Sequence, residues 1–447
     1  MKNSNHKKKY SPSLFKCMLT TATFFLSAIA FGSHPPIKIT IAPNQPGLIT
    51  SIIQKAIDSC GANGGGVIFF PAGKYLTGGI ELKNKVTLLT ERGTLIEGSS
   101  QNADYKNDSF IFGENLTDIA ILGKGIIDGV DCKNIKGEEG FRGPHCIRLI
   151  NCKNIAVKEI SIKNSANWAM NFRYCSNASI QNVSIRGGHD GLHTRFCNNF
   201  TVTGCDFRTG DDAFAGNDNK DFLVTDCKIN TSCNGFRIGC YNFTVKRCKF
   251  WGPGEYVHKT SKRKNMLTAF VHFSPKDENA QLQSGNWLLE DITVTNVDNF
   301  YRYNYADGLW QTGQPATTLQ LKDITATGLL SAFNIIGDTA RKFNLLIKNA
   351  VFAYREGVKN RADSFEGVKI VSSNFFYARN FNQIKLQQVS FQQKGGFPVF
   401  NCTKGNSLIL NKATFITGQN TVPYSISKVN KTMKDGLPLT ASLKVKK

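Results

Sequence analysis

Acidic residues are scarce in this 447-residue chain: 33 Asp and Glu stand against 55 Lys and Arg, a formal net charge of +22. A field of that sign concentrates polyanions. Nucleic acid and acidic polysaccharide are the two candidate classes, with a merely solubilising basic surface as the plain alternative. No nucleic-acid-binding module is recognisable, which makes a phosphate-backbone binder the weakest reading. Proline is scarce as well, 13 against 40 glycines, a balance that suits many short strands and tight turns. No two of the thirteen cysteines have C-x-x-C spacing, so buried free thiols are preferred to a metal site or a disulfide framework. After residue 33 no segment is apolar enough to cross a bilayer. Nothing resembles a linker, and residues 34–447 read as one domain.

The first 33 residues differ in kind. Lys7, Lys8 and Lys9 precede the apolar run MLTTATFFLSAIA at 18–30, which ends in a small-x-small pattern, Ala28-Ile29-Ala30. This is the make-up of a secretory signal peptide, and it predicts a secreted or periplasmic protein. Residues 46–61 carry Leu48, Ile52, Ile53, Ala56 and Ile57 at helical spacing, with Gly61 at the end. They predict an amphipathic helix capping the open end of a repetitive core.

The remainder of the chain carries that repeat. Cys152, Cys175, Cys197, Asn219 and Cys240 open similar alternating segments 21 to 23 residues apart. A second column is read at Asn182, Cys205, Cys227 and Cys248. A fixed period near 22 with β-type alternation predicts an all-β solenoid, a single-stranded parallel β-helix, with residues one period apart stacked roughly 4.8 Å from each other. Further coils are expected at 115–129, 288–297, 319–329, 344–354, 382–391 and 407–416, with an irregular insertion at 252–287.

That register makes Asp190 and Asp212 vertical neighbours with Asp211 beside them. Leu192, Phe214 and Phe236 form an inward stack. The columns flanking it should point outward, collecting His193, Arg195 and Arg237 on one exterior face with the three acids. Asn234 falls above Asp212, and Trp168 falls below Asp190. Three carboxyls this close cannot all stay ionised, so at least one pKa should rise. Divided carboxyl pairs are the equipment of glycoside hydrolysis, one donating a proton and the other activating water. An Asp/Asn ladder that only caps turns is the structural alternative.

At this point the chain resembles the polygalacturonase-type glycoside hydrolases of family 28. The likeness covers residues 45–250, through the run SIIQKAIDSCGANGGGVIFFPAGKYLTGGIELKNKVTLLTERGTLIEG, GIIDG at 125–129, RLINCKNIAVKEISIKNSANWAMNF at 148–172, and HDG (189–191) with GDD (210–212). The resemblance implies a right-handed parallel β-helix and inverting hydrolysis of pectin-like polyuronides. By position it implies Asp211 as general acid, with Asp190 and Asp212 holding and activating water. Two departures accompany it. The family's Asn-Thr-Asp is Gly188-His189-Asp190 here, and its Gly-His-Gly is Cys233-Asn234-Gly235. No Arg-Ile-Lys comes after it, although His258 and Lys259 lie in that region. His189, His193, Arg195, Asn234, Arg237, Trp168, His258 and Lys259 are therefore the expected substrate-binding residues. The expected partner is an acidic polysaccharide or oligosaccharide, met by a monomer with no cofactor, no metal, no nucleic acid and no membrane insertion. A polysaccharide lyase using carboxylate-bound calcium and an Arg or Lys base, and a non-catalytic glycan-binding β-helix, are the alternatives.

Overall fold

The computed structural model describes residues 37–273, 284–305, 315–357, 364–365, 368–369, 374–394, 398–418 and 423–439. The expected signal peptide falls outside them. Among the described residues no helix is long and apolar enough to cross a membrane.

The described residues are almost wholly β, with one α-helix at Thr50–Ala62. Up to residue 209 the coils are built from three short strands each, later ones from fewer and longer strands, and the ladder strands pair in parallel with their counterparts one coil away. Met170–Arg173, Ser176–Gln181 and Ser184–Gly187 pair with Leu192–Arg195, Asn198–Thr203 and Asp206–Thr209. Alternation drives this arrangement: every second side chain turns into the coil, and the stacked coils share one continuous core.

One inward column runs through Ile80, Ile111, Ile147, Met170, Leu192, Phe214, Phe236, Phe270, Tyr301, Phe333, Phe376, Phe400 and Tyr424. The Phe214 and Phe236 rings stack at 4.3 Å, and Phe236 and Phe270 at 5.4 Å. The expected Leu192–Phe214–Phe236 stack is thus a short piece of a column that spans the described chain. The later coils expected from sequence are present as strands Gly285–Thr295, Thr318–Leu329, Phe343–Tyr354, Phe381–Gln393 and Phe400–Thr417.

Outside the coil, turn positions with positive φ are held by a chain of amides. Asn154 donates to Asp118, Asn177 to Asn154, and Asn199 to Asn177, at 2.8, 3.0 and 2.9 Å. Asn and Asp tolerate this left-handed backbone better than other side-chain-bearing residues, which explains their frequency at the turns.

Three expectations need correction. The helix runs past Gly61 to Ala62, and it buries Ile53, Ala56, Ile57 and Cys60 while Leu48 and Ile52 are exposed. Asn182 does not belong to the second cysteine column. Ser184 pairs with Asp206, so Val183 stacks on Cys205, and Asn182 takes the adjoining turn with φ of 53°. The stretch 252–287 is not irregular throughout, because Thr268–His272 joins the ladder against Asn234–Ile238; residues 274–283 lie outside the described set. The twelve described cysteines are all buried and unbonded. Seven of their thiols point at carbonyls, as Cys175 does to Leu149 O at 3.4 Å and Cys197 to Phe172 O at 3.3 Å.

Candidate functional site

The register places the three acids together. Gly191 N donates to Asp212 O and Ala213 N to Asn234 O, both at 2.9 Å, which stacks Asp190, Asp212 and Asn234 on successive coils just before their strands. Carboxylate oxygens of Asp190, Asp211 and Asp212 all lie within 4.8 Å of one another.

They do not form an open exterior row. Asp190 and Asp212 are buried, 3% and 1% exposed, whereas the Asp211 side chain retains 17%. Strand alternation identifies the face correctly. It says nothing of the two loops, 130–144 and 252–264, that fold over that face. Gly210 makes the second approach feasible, since a methyl group there would sit 2.4 Å from Val257 O. Gly188 is similar, with Lys259 Cε 2.6 Å from the same construction. The loops are joined by the Lys259–Asp131 ion pair and by Thr260 Oγ1 donating to Glu139 Oε2 at 3.2 Å.

Each acid has its own partners. Asp212 pairs with the Arg237 guanidinium and accepts from Asn234 through Nδ2 at 2.8 Å and backbone N at 3.1 Å. Asp190 Oδ2 faces His193 Nδ1 at 3.0 Å, and the His193 ring lies flat on Trp168 with centroids 3.6 Å apart. Asp211 faces Arg142 Nη2 at 3.4 Å and His258 Nε2 at 3.5 Å.

Electrostatics divides the group. Burial, reinforced by the Asp211 and Asp212 charges, raises the Asp190 pKa well above the ordinary carboxylate value. Burial acts on Asp211 in the same direction, but the hydrogen bond from His258, with the Arg142 and Arg237 charges, outweighs it and holds Asp211 below that value. Of these two, Asp190 therefore takes up a proton more readily than Asp211. Burial, helped by Arg237, keeps His193 neutral. Burial and Arg142 pull His189 down to about 2.

The expected binding residues fall into two groups. His193, Trp168, Arg237, His258 and Lys259 border the acids or the loops over them. His189 and Asn234 are buried beneath. His189 Nδ1 accepts from Arg142 Nη1 at 3.1 Å, which fixes its proton on Nε2, and Asn234 is committed to Asp212. They position other groups and do not offer a binding surface. Arg195 sits farther along its strand, its guanidinium 5.1 Å from the Phe196 ring.

Arg142 was missed entirely. It lies in a loop without repeat register, so the vertical map gives it no neighbour; the only signal was a charged stretch (Glu138, Glu139, Arg142) between GIIDG and the next coil. His145, also missed, faces Asn171 Nδ2 at 3.1 Å and the Trp168 ring at 5.2 Å.

Among the described residues two clusters have metal-ligating atoms, and neither suits a metal. Around the three aspartates, Arg237 already pairs with Asp212 and Arg142 with Asp211, so a further cation meets their repulsion. The other cluster is Asp211, Cys233 and His258. There the Ser261 backbone N–H donates to His258 Nδ1 at 3.0 Å. The neutral ring must then carry its proton on Nε2, toward Asp211, and has no lone pair left for an ion. The same hydrogen bond makes His258 a donor to Asp211. A histidine from the 252–264 loop thus stands beside the acid pair although position 234 holds asparagine.

Residues 60–221 match the family Glycosyl hydrolases family 28. A probable polygalacturonase of Vitis vinifera is 28% identical over 164 residues, 31% of this chain and 33% of the relative. An endo-polygalacturonase of Pectobacterium carotovorum subsp. carotovorum is 26% identical over 209 residues, 38% of this chain and 51% of the relative. The chain thus spans about a third to a half of the length of these curated relatives. Among solved structures, the polygalacturonase from Erwinia carotovora ssp. carotovora superimposes with a TM-score of 0.58 at 18% identity, covering 72% of this chain and 94% of that one. The family 28 exopolygalacturonase of Yersinia enterocolitica gives 0.57 at 15% identity, over 91% of this chain and 79% of that one. At these identities the structural likeness establishes the parallel stacking of coils.

Proposed function

We propose that this chain, whose residues 60–221 match glycosyl hydrolases family 28, is an exported glycoside hydrolase that cleaves acidic, pectin-like polysaccharide with inversion at the anomeric carbon. Residues 1–33 supply the export signal in this reading, the coil is right-handed, and the Thr50–Ala62 helix closes its N-terminal end. The observation that carries the function is the group of three carboxyls within 4.8 Å, in which environment raises the proton affinity of Asp190 and lowers that of Asp211.

Asp211 is the general acid because it alone of the three reaches solvent, and hence a leaving oxygen. Asp190 and Asp212 are too deep to attack a sugar carbon. Asp212 already accepts three hydrogen bonds. A water can reach where a sugar ring cannot, so these two hold and activate water, which supports inversion. The carboxyls stand closer than the roughly 6.5–9.5 Å common in inverting enzymes; burial is the stronger argument, because a covalent intermediate requires contact between carboxylate and sugar.

Asp211 must gain a proton that Asp190 takes up more readily in the empty site. A substrate uronate supplies the means. Its negative charge beside Asp211, and its competition for Arg142 and His258, both raise the affinity of Asp211 for a proton. An acidic substrate would then be favoured in the chemical step as well as in binding.

The test tracks polygalacturonate by reducing-end release and by NMR of the first-formed anomer, with Asp211→Asn as control. Inverted product, and a loss of about 10²–10⁴-fold in kcat on substitution, are expected. Unchanged hydrolysis by the variant removes Asp211 from its role, and an unsaturated, ultraviolet-absorbing product would move the enzyme to the lyases.

A further inference from the structure

We propose that Tyr174, Phe196, Arg173 and Arg195 form a second carbohydrate subsite, remote from the acids, for a uronic-acid-bearing glycan chain. The ligand class rests on the reading given under Proposed function. The site itself rests on separate observations.

The chain leaves the site-bearing strands through one turn position, which recurs on successive coils as Asn115, Asn151, Tyr174, Phe196 and Asp218. The register is fixed by Asn115 N to Ile150 O at 2.9 Å, Asn151 N to Arg173 O at 2.8 Å, Tyr174 N to Arg195 O at 2.9 Å, and Phe196 N to Asn217 O at 3.2 Å. All five have left-handed backbone, with φ of 56, 51, 55, 54 and 55°. Asn and Asp suit that conformation, and Asn151 Nδ2 donates to Asn115 Oδ1 at 2.6 Å. Bulky aromatics do not suit it. Two consecutive coils therefore replace the favoured residue with one that strains the backbone and ends the amide ladder. Strain held against a better local alternative points to use.

The aromatics are not placed to improve the core. Their rings are parallel to within 1° at 4.9 Å, and Tyr174 is 51% exposed. Paired aromatic faces at a surface suit the apolar face of a sugar ring. Arg173 and Arg195 pair with each other one residue earlier, both partly exposed, and the Arg195 guanidinium lies 5.1 Å from the Phe196 ring. Planar guanidinium groups match carboxylates bidentately. Aromatic faces with paired guanidiniums fit a uronic-acid chain better than a neutral glucan.

Continuity with the acids completes the case. The Trp168 ring lies on His193 near the start of Leu192–Arg195, Arg173 pairs with Arg195 at its end, and Tyr174 with Phe196 follow in the turn. Six extended residues separate Asp190 from Phe196, about 20 Å. Loops 130–144 and 252–264 cover the opposite edge. A long chain held at the acids would run over this track, whereas a short oligomer would not reach it.

The test uses the full chain carrying Tyr174→Asn and Phe196→Asn, residues that the turn prefers. Binding is read by affinity electrophoresis in gels containing polygalacturonate or, as neutral control, dextran, with Asp211→Asn added so that nothing is digested. Melting temperature and kcat/KM on trigalacturonate are read with Asp211 intact. The expected result is retardation by polygalacturonate and not dextran, weakened roughly tenfold in Kd by the paired substitution. Melting temperature is held or raised, and kcat/KM on the trimer is unchanged. Retardation that survives in the folded variant, equal retardation by dextran, or a loss of trimer hydrolysis overturns the subsite. Should the parent protein hydrolyse nothing while the variant still loses retardation, the hydrolase reading fails and the subsite stands.

Discussion

Replacing Asp190 by Asn should make the protein more stable at pH 7 and catalytically poor. Asp190 is buried among two other carboxyls whose oxygens are within 4.8 Å. Two unit charges at that distance repel by about 3.5 kcal/mol at an effective dielectric constant near 20, an upper figure. Its folded pKa is raised, while the unfolded chain titrates near 3.9. The native state therefore holds a proton that the unfolded state releases as pH rises. Stability from this group is fully present below about pH 3.9 and is lost as pH climbs through the raised folded value. Asn, which never ionises, removes that loss. The variant should therefore gain stability at pH 7, on the order of that repulsion or less. For this 447-residue chain that is a rise of at most roughly 4 °C in melting temperature. The gain should disappear at pH 4. Thermal melts of both proteins at pH 4 and pH 7, with kcat on polygalacturonate measured alongside, make the test. A variant less stable at pH 7, or an equal difference at both pH values, would refute the claim that the folded site raises the proton affinity of Asp190.

Arg237→Met should destabilise by about 3–5 kcal/mol, because Asp212 would remain buried without its guanidinium. Adding Asp212→Asn should recover most of that loss without restoring activity, read by denaturant unfolding and turnover together. None of the twelve described thiols should react with a thiol reagent in the native protein, and all should react once it is denatured; rapid native labelling at Cys233 would show that the loops over the acids open freely.

The ladder was legible because a period maps sequence distance onto vertical distance. At a step of 22, alignment placed Asp190 on Asp212, Leu192 on Phe214, and His193 on Ala215. The map slips where a turn and a strand residue compete for the same column. Asn182 resembles a column member by composition, yet its backbone is left-handed, and Val183 takes the inward place. It fails outright between coils. The step from Phe236 to Phe270 is 270 − 236 = 34 residues because a loop intervenes. Loops have no register, so Arg142 and the path of residues 252–264 over the acids were out of reach. His258 and Lys259 were found only as residues in a suggestive region. The burial of Asp190 and Asp212 results from those same loops and was missed for the same reason.

The asparagine at position 234 and the histidine in a neighbouring loop belong to one physical problem. A group of three carboxyls needs positive or donor groups around it, or it will take up more protons than the chemistry can use. At position 234 a histidine could supply such a group from the ladder itself. Asparagine there instead accepts a fixed duty to Asp212, and the need passes to side chains that reach in from outside. His258, held as an Nε2 donor by the Ser261 backbone, and Arg142 meet it at Asp211. Arg237 meets it at Asp212. Three side chains thus surround the acids with positive or donor groups, and two of the three come from loops. Specificity then depends on loop sequence more than ladder sequence, because the groups a uronate would displace in order to hand Asp211 its proton are the ones the loops contribute.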